Sequence, residues 1–144
     1  MSAFDLGNQL MEHYTHYLHY HVGLLQEFKE QTCKQPPFSV SDAFSEEEQQ
    51  WLNTLESLCQ LEHFTEAASE QGQWLLSRVV STYSHLMPLL PRDLLWFFGG
   101  DCLHFMPDEE INFYQQLDEL RFSAEEAGKC FDYAEAKASL KQSH

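Results

Sequence analysis

The chain has 144 residues, a length that suits one domain able to bury roughly 70% of the surface its unfolded form exposes. With 11 Phe, 6 Tyr and 3 Trp against only 6 Gly and 5 Pro, the composition argues against disorder and against a turn-rich all-β fold, and for a well-packed helical one. A formal charge of −15 argues against direct binding to nucleic acid or to an anionic membrane, because both need cationic side chains to meet phosphates.

From about Asp5 to Cys33 the apolar spacing predicts a first long helix. Leu10, Tyr14, Tyr17, Leu18, His21, Leu24, Leu25 and Phe28 gather on one face, whereas Glu12, His13, His16, His19, Gly23 and Glu27 occupy the rest. His21, inside the apolar arc, reads as a core histidine. Pro36 and Pro37 predict a loop over 35–45. Ser45 followed by Glu48 is a capping box, opening a helix over Glu46 to Gln60 with Trp51, Leu52, Leu55, Leu58 and Cys59 inward. Leu61 and Phe64 fall off that face.

Ser69 is read as the next cap, with a helix from Glu70 that carries Leu76, Val79, Val80, Tyr83, Leu86, Met87 and Leu90 on one side and Gly72 in its first turn. Pro88 ends or kinks it, and Pro91 starts a short helix over 92–98. Gly99 and Gly100 stop that helix, and Asp101 caps a further turn through Met106. Pro107 and Asp108 begin the next helix, in which Ile111, Tyr114, Leu117 and Leu120 keep helical spacing; Arg121 and Phe122 are placed at its exit. Ser123 with Glu126 then repeats the capping box and opens a last helix, with Ala124, Ala127, Phe131, Ala134 and Ala138 as a small-residue packing face. The tail from about 138 is expected to fray. The expected fold is all-α, a single-domain helical bundle across 1–144, of five to seven helices with a kinked, glycine-broken central segment.

Charge is distributed unevenly. No Lys or Arg falls between Lys34 and Arg78, nor between Arg92 and Arg121, although acids are frequent in both stretches. Such a surface suits a basic protein partner or imitation of a nucleic-acid backbone, and it also serves solubility. Cys33, Cys59, Cys102 and Cys130 form no CxxC pair, so they read as reduced thiols, mostly in the core. No apolar run reaches membrane-spanning length, and the start MSAFDLGNQL has no signal-peptide pattern. A cytoplasmic location is the expectation.

Two clusters invite chemistry. His13, His16 and His19 recur every third residue beside Glu12. Imidazole suits zinc or iron, but the helical drift per step means that a metal site at Glu12, His16 and His19 needs ligands from elsewhere, with Asp101 and His104 the candidates. The patterns HExxH and ExxH are both absent. The second cluster, GGDCLHFMPDEE, sets Cys102 near His104, but neighbouring acids disfavour a thiolate and the two side chains diverge on a helix. No glycine-rich phosphate loop, GxSxG elbow or triad spacing occurs. No catalytic residue is therefore assigned.

Trp96, Phe97 and Phe98 cannot all face one core from a short helix, so at least one is expected at a groove or subunit contact. The leading reading is a chaperone-like accessory module that docks a basic or amphipathic protein segment at Trp96, Phe97, Phe98 and Phe105, steered by Asp101, Asp108, Glu109 and Glu110. The alternatives are a small helical metalloprotein or metal-dependent enzyme, and a nucleic-acid mimic that inhibits a basic protein. A homodimer fits all three, because the aromatic surplus must be buried somewhere.

Overall fold

The computed structural model describes the backbone of residues 3–40 and 43–143, with side chains from residue 16 onward. Among the described residues there are six α-helices and two 3-10 segments and no strand. The all-α class and the broken centre expected from the sequence are both observed. Backbone proximity divides the chain into two compact units, His21–Phe105 and a second made of Met1–Tyr20 with Met106–His144.

The unit His21–Phe105 begins within α1 (Ala3–Thr32). The helix α2 (Glu46–Leu58) starts at the expected capping box: Glu48 N donates to Ser45 Oγ at 3.1 Å, and Ser45 N donates to the Glu48 carboxylate at 2.8 Å. Two orphan amides are thus satisfied within four residues, while Glu46 and Glu47 lie against the positive end of the helix. Trp51, Leu55 and Leu58 are buried, and Leu52 is half-buried.

The helix α3 (Glu66–Ser81) starts four residues before the expected Glu70. Thr65, not Ser69, is its cap, accepting from Ala68 N at 3.1 Å. The buried stripe is Ala68, Gly72, Leu75, Leu76 and Val79. Its first two members are small, which hid this part of the stripe from a reading based on large apolar residues. The helix also stops earlier than expected, and Tyr83, Leu86 and Leu90 are buried from the 3-10 segment Ser84–Leu89 and its flanks. Pro88 lies inside this segment, past the end of α3, where its missing N–H does not interrupt an α-helix.

The short α4 (Asp93–Phe98) ends at Gly99, whose φ of 65° needs a residue without Cβ. Its last carbonyl is satisfied from α3: Phe98 O accepts from Gln73 Nε2 at 3.0 Å and from Ser69 Oγ at 3.3 Å. Ser69 therefore caps the end of another helix rather than the start of its own. The second 3-10 segment, Gly100–Phe105, is closed by Arg92 Nη2, which donates to Phe105 O at 2.9 Å.

In the other unit, α5 (Asp108–Glu126) runs straight through the point where a new helix was expected. Ser123 lies inside it and opens nothing. Arg121 spans the position by pairing backward with Asp118 and forward with Glu125, at 3.4 and 3.5 Å, spacings that only a continuous helix brings to one face. The real stop is Gly128, with φ 67°. Gly128 N donates to Glu125 O at 3.1 Å and Lys129 N to Ala124 O at 2.9 Å, the paired bonds of a Schellman turn. Asp132 then caps α6 (Tyr133–Ser143) by accepting from Glu135 N at 3.0 Å. The small-residue face does not form: Ala127, Ala134 and Ala138 are exposed, and the buried member of α6 is Tyr133.

Candidate functional site

Within the unit Met1–Tyr20 with Met106–His144, a cleft of about 630 Å³ opens where α1, the end of α5 and the start of α6 meet. The volume lies within the range of roughly 300–1,000 Å³ usual for ligand sites. Its walls are rings: Tyr17 and Tyr20 from α1, Phe131 from the α5–α6 connection and Tyr133 from α6. Tyr133 is the hub of this set. Its ring meets Tyr17 edge-on at 5.4 Å, Tyr20 at 4.7 Å and Phe131 at 6.2 Å between centroids. Tyr133 is buried, while Tyr17, Tyr20 and Phe131 are half-buried and present area to the cleft.

The lining also has a polar part. His16, Arg121, Glu125 and Asp132 supply it, with Cys130 at the connection. Arg121 is 9% exposed. Its guanidinium lies 3.8 Å from the Tyr17 ring centroid and 4.6 Å from that of Phe122, cation–π geometry at a side chain largely withdrawn from solvent. Its terminal nitrogens are held by Asp118 and Glu125, and its buried Nε has no hydrogen-bond partner. A guanidinium is planar and weakly hydrated, which is what lets it lie among rings in this way. Lys and Arg in this unit are Arg121, Lys129, Lys137 and Lys141, far outnumbered by Asp and Glu. The cleft is thus aromatic, with its one arginine already engaged by carboxylates.

The residues expected to bind a partner are distributed otherwise. Phe97 and Phe98 belong to the core of their unit. Phe97 stacks on the buried His21 ring at 4.4 Å and lies 4.5 Å from Phe64, while Phe98 covers Gly72. A six-residue helix can bury two neighbouring aromatics when it is packed on more than one side, and here α1 supplies His21 while α3 supplies the glycine. Trp96 and Phe105 are half-buried and Asp101 is exposed. Asp108 and Glu109, exposed, and Glu110, half-buried, belong to the other unit at the start of α5.

Of the candidate metal ligands, His16 and His19 are exposed on α1, and Asp101 and His104 are exposed on the second 3-10 segment. The side chains of Glu12 and His13 lie outside the described residues. Among the described residues, no group of three or more His, Cys, Asp or Glu is placed to hold a metal ion.

The cysteines divide evenly: Cys59 and Cys102 are buried, Cys33 and Cys130 exposed. Burial pushes the Cys59 and Cys102 thiols up from the usual 9.0 to about 11, helped at Cys102 by the Asp101 carboxylate. Ellman's reagent at about pH 8 is expected to titrate two thiols of the folded protein and all four after unfolding; equal reaction of all four in the native protein would contradict the burial. The sign for stability follows. Between pH 9.0 and about 11 the unfolded chain releases these protons while the folded chain keeps them, so stability falls as pH rises through that window and is fully present below it.

The sequence reading placed Tyr17 on the apolar face of α1 and Arg121 at a helix exit, and did not single out Tyr20, Glu125, Asp132 or Tyr133. The available signal was local: tyrosines at 14, 17 and 20 on one helix, and the pattern G-x-C-F-D-Y with a capping aspartate between two aromatics. No described helix is long and apolar enough to cross a membrane. No curated protein and no solved structure matches the chain. The family model described as PA2817-like matches residues 13–144, which takes in all the described cleft-lining side chains, and the chain belongs to that family.

Proposed function

We propose that this protein is a cytoplasmic, chaperone-like docking module that holds a basic or amphipathic segment of another protein. The cleft of the Met1–Tyr20 and Met106–His144 unit supports this most directly. It combines half-buried rings with acids at the edge, in a unit where acids far outnumber bases. Apolar residues of a segment gain by covering the rings, and its cations gain from the surrounding acids during approach and after docking. The centre at Trp96 and Phe105 contributes a smaller aromatic area, since Phe97 and Phe98 are buried.

Fluorescence anisotropy with three labelled amphipathic peptides of one length, basic, neutral and acidic, tests the reading. The basic peptide is expected to bind saturably and about tenfold more tightly than the acidic one at low salt, with the difference shrinking as salt is raised. Tyr20→Ala is expected to weaken it about tenfold, and Trp96→Ala to leave it within a factor of about two. Absence of saturable binding by any of the three peptides would sink the reading, and loss confined to Trp96→Ala would move the site to the centre of the chain.

A further inference from the structure

We infer that the cleft takes one arginine side chain of the docked segment, its guanidinium against the half-buried ring of Phe131 with Asp132 as counter-charge. The inference rests on the docking reading and adds the chemistry of the anchor. Aromatic faces carry negative potential and attract a cation, most strongly where water is excluded. Glu125 and Asp132 both line the cleft, and its single arginine is already shared between Glu125 and Asp118. Asp132 is exposed and uses Oδ1 to cap α6, so its remaining acceptor capacity is open to a ligand.

An anionic anchor is disfavoured on the same grounds. It would face two carboxylates in the lining and would have to draw Arg121 away from Asp118 and Glu125. Between the two cationic side chains, the walls favour guanidinium. An ammonium is a compact, strongly hydrated charge that wants several acceptors and cannot lie flat on a ring. A guanidinium loses less on leaving water and can lie flat on a ring. Arg121 does so already in the same wall, 3.8 Å from the Tyr17 centroid. The occupant is an arginine within a chain rather than a free guanidinium compound, because about 630 Å³ holds more than one side chain. Its flanking residues can cover the rest of the rings.

Isothermal titration calorimetry on the full chain tests this with three capped peptides that differ at one position, Gly-Leu-Xaa-Leu-Gly with Arg, Lys or Gln, and with N-acetylarginine amide alone. The Arg peptide is expected to bind about tenfold more tightly than the Gln peptide and severalfold more tightly than the Lys peptide, with the amide weakest of the cationic probes. Phe131→Ala is expected to erase most of the Arg preference. Asp132→Asn keeps a good helix cap and is expected to reduce that preference severalfold. Circular dichroism verifies that each variant is folded.

Equal binding of the Arg and Gln peptides would overturn the arginine anchor and leave docking standing. Equal binding of Arg and Lys would overturn the guanidinium preference, and an amide as tight as the peptide would overturn the chain-borne occupant. If none of these short peptides binds while the longer basic peptide does, the anchor is wrong and docking survives. If neither set binds, docking fails with it.

Discussion

Replacing Trp51 with alanine is expected to remove about 3–5 kcal/mol of stability, a large share of the roughly 5–15 kcal/mol that a protein of this kind has in total. Trp51 is 1% exposed and sits between three rings: Phe38 stacked at 5.0 Å, Tyr83 edge-on at 5.3 Å and Phe28 edge-on at 6.2 Å. Its Nε1 donates to Leu75 O at 3.1 Å, joining α2 to α3. Alanine removes the largest fully buried side chain of the unit and opens a cavity that three separate elements would have to close. Phe38 lies in the proline-bearing loop and loses its stacking partner, so amide exchange over 33–40 is expected to speed up beyond the global change. Trp51→Phe separates the contributions, because it keeps most of the apolar area and gives up the hydrogen bond, at a cost of about 1–2 kcal/mol. Urea unfolding followed by circular dichroism measures both. A loss below about 1 kcal/mol for Trp51→Ala would mean that this ring cluster does not organise the unit.

The features that were legible in the sequence act over about four residues. Ser45 and Glu48 close a hydrogen-bonded ring with each other, and Gly99 and Gly100 take positive φ where no other residue type is comfortable. Such signals carry their own physics and need no partner from elsewhere. Ser69 and Ser123 show the limit. Ser123 has Glu126 at the third position, as a capping box requires, and Ser69 is a residue type suited to a cap, yet Ser69 is claimed by the end of α4 and Ser123 by the continuity of α5. Tertiary competition, not local propensity, decided both. The cleft was illegible for the same reason in stronger form. Tyr17 and Tyr20 approach Tyr133 only after more than a hundred intervening residues have folded between them. Nothing local to either end announces the meeting. The aromatic run at Trp96 to Phe98 divides: Phe97 and Phe98 are core contacts, and Trp96 is half-buried.

Gly72→Ala is expected to destabilise the protein by about 1–2 kcal/mol, against the usual sign for this exchange. In an exposed helix interior alanine is favoured over glycine by up to about 1 kcal/mol, and the sequence alone suggests a tolerated glycine that improvement would replace. In the structure Gly72 is buried in α3, and a Cβ built there overlaps Cδ1, Cε1 and Cγ of the Phe98 ring. The overlap is with the ring itself, not with the loose end of a flexible chain. Phe98 has little room to retreat, being buried against Phe64 and Phe97 at 6.0 and 5.1 Å between centroids. Its carbonyl is also held by Ser69 and Gln73. Overpacking therefore outweighs propensity. Phe98→Leu is the second variant that makes the argument testable, because it takes the ring away while keeping an apolar side chain. In that background the added methyl is expected to be neutral or stabilising by up to about 1 kcal/mol, giving a coupling of at least about 1 kcal/mol between the two sites. Chemical denaturation of the four proteins in the cycle measures it. Stabilisation of the otherwise unaltered protein by Gly72→Ala would show that α3 and α4 do not approach through this glycine.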